Sequence, residues 1–142
     1  MSGNTYSHLG MVWGWRVISP EFPFMEGVEY DNRKWNKIVI LMTDGDNTVG
    51  YYSGEGLRGD TGVSATVLEE NQKLAQVCED MKEQGVKVYT ITFQSGISET
   101  TKGYYRNCAT STSMYYDAPD AADLINVFER IADQLSKLHV AK

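Results

Sequence analysis

The chain has 142 residues, 42% of them apolar and 23% charged, and carries a net charge of −6 at pH 7. That length and balance suit a single domain with a real core. The acidic excess excludes a nucleic-acid surface, which needs clustered basic charge to meet phosphates. No apolar run reaches the roughly 18–20 residues of a membrane span. The start of the chain lacks the basic segment and apolar stretch of a secretion signal.

Residues 5–18 predict a helix, with Leu9, Val12, Trp13 and Val17 at helical spacing and Ser19-Pro20 as its stop. Gly10 and Gly14 weaken that helix intrinsically and leave room for a neighbouring element to come close. Residues 20–36 read as irregular. Residues 38–43, "IVILMT", predict a strand without alternation, the pattern of a parallel strand buried on both faces. A glycine-rich loop over 45–62 follows, then a helix over about 64–84, capped by Ser64 and ended at Gly85 in a left-handed turn. Residues 86–93 predict a second strand, 98–108 a short helix, and "SMYY" a third strand. A last helix opens at Pro119 or Asp120 and runs to about 138. Its apolar positions Ala121, Leu124, Ile125, Phe128, Ile131, Ala132, Leu135 and Leu138 give the cleanest periodicity in the chain. Strands alternating with helices imply an α/β layer fold with a mostly parallel sheet.

The first strand ends abruptly in Thr43-Asp44-Gly45-Asp46-Asn47-Thr48. Ligands of open α/β sheets bind beyond the carboxyl ends of strands, so this pair of aspartates is the first candidate site. Asp-x-Asp-x-Thr after an apolar strand resembles the motif of haloacid-dehalogenase-type phosphatases. That resemblance implies Asp44 as nucleophile, Asp46 as general acid and a magnesium ion against the phosphate. It also asks for partners that Thr92, Lys102, Asp117 and Asp120 supply only in part. A calcium loop starting at Asp44 would use Asp46, Thr48 and Glu55, but Val49 stands where the sharp turn requires glycine.

A wider pattern takes in more of the chain. "GNT" before the first helix and "ILMTDG" at the first strand resemble a von Willebrand factor A domain. The segments "GMVWGWRVISPEFPF", "CEDMKEQGVKVYTITF", "RNCATS" and "ADLINVFERIADQLSKL" extend the resemblance to the C-terminal half of TadG-type proteins, which assemble tight-adherence pili at the cell envelope. The resemblance spans nearly all of 1–142 and implies one partial domain: a three-layer, Rossmann-like α/β fold whose first strands are missing. It implies a non-enzymatic binding or scaffolding module, periplasmic or envelope-associated, with protein partners among pilus or envelope components. In that family a divalent cation such as magnesium sits at the metal-ion-dependent adhesion site. Thr5 and Asp44 match two of its ligands, and Asp46 lies close by. The family's Asp-x-Ser-x-Ser has no counterpart here, so a cation is expected to bind weakly or not at all.

Three further expectations follow from the resemblance. Asn47, Thr48, Tyr51 and Tyr52 form a partner-binding loop near the strand end. Residues 38–43 lack their usual neighbour, so they form an edge and drive self-association. Export makes a disulfide between Cys78 and Cys108 an expectation, because helices on either side of the second strand would hold them as neighbours. Elsewhere, Gly54-x-Gly56-x-x-Gly59 lies too far past the strand to cradle a dinucleotide. His8 and His139 stand alone, and no Gly-x-Ser-x-Gly marks a hydrolase. The tyrosine pairs 51–52, 104–105 and 115–116 predict one buried member each.

Overall fold

The computed structural model describes residues 5–48 and 66–140 and, from 138 on, the backbone alone. The elements run α1 (Ser7–Ile18), β1 (Ile38–Thr43), α2 (Val67–Glu83), β2 (Lys87–Phe93), α3 (Glu99–Cys108), a 3-10 turn (Thr112–Met114), β3 (Tyr115–Ala118) and α4 (Ala121–Val140). The strands form one parallel sheet in the order β1-β2-β3. Ile38 of β1 stands opposite Lys87 and Thr43 opposite Thr92. Thr90 of β2 stands opposite Tyr115 and Phe93 opposite Ala118.

The three layers follow from alternation on the central strand. Val88 of β2 packs with Met11 of α1, Leu74, Cys78 and Met81 of α2, and Tyr105 and Cys108 of α3. Tyr89 and Ile91 point to the other face, onto Ala118, Val127 and Ile131. Both crossover helices, α2 and α3, thus share one face with α1, as crossovers of one hand require. Among the described residues α4 is the helix on the opposite face.

Local chemistry sets the boundaries. α2 begins at Val67 because Thr66, rather than Ser64, caps it. The Thr66 hydroxyl accepts from Glu69 N at 3.2 Å, and the Glu69 carboxylate accepts from Thr66 N at 2.6 Å, a reciprocal capping box. Ser64 lies outside the described residues. Gly85 ends α2 with φ +79°, the left-handed conformation that glycine adopts without cost. The third strand sits two residues later than "SMYY", because Met114 N turns back onto Ser111 O. Asp120 opens α4, its carboxylate accepting from the amides of Ala122 and Asp123 at 2.8 and 2.9 Å. α1 crosses close to β1 at Gly14, where an added Cβ would sit 3.7 Å from Val39 Cγ1. The chain after α1 folds back along it, and Trp15 Nε1 donates to Tyr30 Oη at 2.8 Å.

One expectation is corrected. The unbroken apolar run 38–43 predicted burial on both faces. Val39 and Leu41 do pack inward beneath α1 and α2, but Ile40 and Met42 are 40% and 48% exposed. The reason is coverage: α4 packs against β3 and the residues of β2, so the outer half of that face lies open. Among the described residues β1 has a single strand neighbour and is a sheet edge.

Candidate partner- and cation-binding site

The carboxyl ends of the strands carry the residues singled out in the sequence, and hydrogen bonds weld three segments there into one platform. Thr5 N donates to Thr48 Oγ1 at 2.7 Å, and Thr48 N donates back to Thr5 O at 3.1 Å. The segment before α1 is thereby fixed to the loop that begins at Asp44. Asp46 ties that loop to the one after β2, since its Oδ1 accepts from both the amide and the hydroxyl of Ser98 at 3.1 Å. Ser98 in turn caps α3 through Thr101 N. Asp44 itself is exposed. Thr43, just before it, bends the chain by bonding both the carbonyl and the amide of Gly45.

Asn47 corrects the expected binding loop. It is 2% exposed and acts as an internal brace. Its Oδ1 accepts from Ser7 N at 3.0 Å, and its Nδ2 donates to Asn71 Oδ1 at 2.7 Å. A buried amide that bridges α1 and α2 has no surface to offer a partner. Thr48 is half-buried against Thr5, and Tyr51 and Tyr52 lie outside the described residues.

Beneath the platform lies a buried polar layer that sequence reading missed. The Tyr105 hydroxyl donates to Ser7 Oγ at 2.5 Å. Burial, against the pull of hydrogen bonds to Ser7 and Thr43, raises its pKa. Glu70 is 2% exposed. Its Oε1 takes Lys73 Nζ at 2.7 Å, and its Oε2 lies 2.8 Å from His8 Nδ1. That second contact is short but makes no hydrogen bond, and it becomes an ion pair only when His8 is protonated. Burial lowers the His8 pKa, with Glu70 opposing. His8 stands alone in the sequence, where nothing local signals the buried carboxylate on α2 that it meets.

The residues of the phosphatase reading do not assemble. Thr92, Lys102 and Asp117 meet, but with one another: Thr92 Oγ1 donates to Asp117 Oδ1 at 2.9 Å, and Lys102 Nζ to Asp117 Oδ2 at 2.7 Å. The Asp117 carboxylate raises the Lys102 pKa, which leaves that ammonium serving an internal ion pair. Asp46 is spent on Ser98, and Asp120 caps α4. Nor do the described residues fit a divalent cation by themselves. No group of three or more His, Cys, Asp or Glu among them is placed to hold one. Thr5 and Asp44 supply two oxygens where a hard cation takes six or more.

On the same face of the sheet a disulfide joins Cys78 of α2 to Cys108 of α3, with Cα atoms 5.1 Å apart. Both cysteines are buried.

The parallel sheet with helices on both faces is an α/β fold of the von Willebrand A-like kind. Proximal thread matrix protein 1 from the mussel byssus shares this fold. Its solved structure superposes with a TM-score of 0.56 at 19% identity, over 92% of this chain and 24% of the mussel chain. A second structure of that protein, with a zinc-occupied MIDAS motif, superposes with a TM-score of 0.54 at 19% identity over the same shares. This chain thus spans about a quarter of the mussel protein's length. No known family and no curated protein matches the sequence.

Proposed function

We propose that this chain is a non-enzymatic protein-binding and scaffolding module of an adhesion-related assembly at the cell envelope, of the pilus-assembly kind. The observation that carries the reading is the two-way bond between Thr5 and Thr48. It pre-forms a rigid surface at the carboxyl ends of the strands, beside the exposed Asp44, where α/β sheets bind their partners. The von Willebrand A-like fold supports it, as does the mussel matrix protein whose solved structure holds zinc in a MIDAS motif. The buried disulfide favours an exported, oxidising setting such as the periplasm.

Thr5 and Asp44 face the partner, and magnesium or another divalent cation binds there only weakly until further oxygen ligands arrive. The open edge of β1 is a second contact, through which copies of the chain associate. Adding magnesium to the purified protein should raise its melting temperature slightly, with Asp44→Asn removing the rise and no hydrolysis of a generic phosphate ester. Phosphate-ester turnover that Asp44→Asn abolishes would overturn the reading.

A further inference from the structure

We propose that the outer edge of β3, with the flank of α4 that faces it, forms a docking cleft for an extended basic segment of a protein partner. A cleft of about 630 Å³ runs between these elements and is lined by Tyr115, Tyr116 and Asp117 of β3 and by Asp123, Glu129 and Asp133 of α4. Side chains of consecutive strand residues point to opposite faces of a sheet. Here Tyr115 packs with the α1–α3 side and Tyr116 with the α4 side, yet both line the cleft. What the three strand residues share is their backbone edge, which β2 leaves unpaired.

That edge offers amides and carbonyls to an added strand. The wall opposite decides which strand. Among the described residues Arg130 is the one cation lining the cleft, against the carboxylates of Asp123, Glu129 and Asp133. Among the described residues none of these four groups makes an ion pair. The three carboxylates span ten helical positions, about 15 Å of axis, which matches four to five residues of extended chain. Lysine or arginine at alternate positions of such a segment meets them. Of the lining residues, Tyr116 keeps its Oη buried and without a hydrogen-bond partner, like Tyr89 Oη on the same face of the sheet.

The test is fluorescence anisotropy with a labelled Lys-Thr-Lys-Val-Lys-Thr peptide and its counterpart with glutamate in place of lysine. Two further versions carry N-methyl groups on alternate backbone amides, in one phase or the other. The basic peptide should bind and the acidic one should not. The triple variant Asp123→Asn, Glu129→Gln, Asp133→Asn, with its fold checked by circular dichroism, should weaken binding about tenfold or more. One methylation phase should weaken it about tenfold and the other leave it unchanged, because a strand pairs through every second amide. Equal binding of the acidic peptide, no effect of the triple variant, or indifference to both methylation phases would each overturn the proposal. Since neither Thr5 nor Asp44 takes part, failure here leaves the proposed function standing.

Discussion

At the scale of single residues, the platform rests on buried polar side chains that tie distant segments together. Asn47 links the α1 amide of Ser7 to the amide of Asn71. Asn47→Ala strands both partners, and chemical denaturation should register a loss of about 1–3 kcal/mol. An unchanged midpoint would mean that water replaces the amide at no cost. His8 gives a pH dependence of known sign. Its pKa lies below the ordinary 6.5, chiefly through burial. On acidification the unfolded chain therefore binds the proton first. The contribution is fully present above pH 6.5 and is lost as pH falls through the folded pKa. Melting temperatures between pH 7.5 and 5 should fall less steeply for His8→Gln than for the parent. Gly27 is fixed by sterics, since a Cβ there would lie 2.3 Å from the carbonyl oxygen of Ile18. Gly27→Ala should lower the melting temperature, while Gly14→Ala, with 3.7 Å of clearance from Val39, should not.

At the scale of elements, the sequence gives helix and strand identity correctly and misplaces ends by a few residues. The helix start at Val67 instead of 64 illustrates why: Ser64 and Thr66 are equivalent as candidate caps. Only the Glu69 carboxylate returning to Thr66 N selects one of them. The disulfide clamps α2 to α3 across a sequence separation of 30. On a chain-entropy basis a loop of that size is worth about 3–4 kcal/mol. Reduction should therefore lower the denaturation midpoint strongly, and a thiol count on the unfolded, unreduced protein should find none free. In the candidate site, the place of Asp44 just past the first strand was legible from the apolar run before it. Asn47 was misassigned to the surface, because its role depends on Asn71, 24 positions away.

At the scale of the whole molecule, the open edge of β1 is the dominant feature. Ile40 and Met42, exposed on the face of that strand, lie beside a backbone edge unpaired among the described residues, a template for strand pairing. Ile40→Lys with Met42→Lys should abolish concentration-dependent association in light scattering without unfolding the domain. A parent protein that stays monomeric at high concentration would remove the edge as an interface. The sequence by itself determined the alternation of strands and helices, and hence the parallel sheet, because apolar periodicity and turn residues are local signals. It also placed Asp44 at a strand end for the same reason. Only the tertiary structure decided which faces are covered, that Asp46 serves Ser98 and Lys102 serves Asp117, and that β3 borders a cleft. Those outcomes depend on which distant groups the crossovers bring within hydrogen-bonding reach, and no local pattern in the chain encodes that distance.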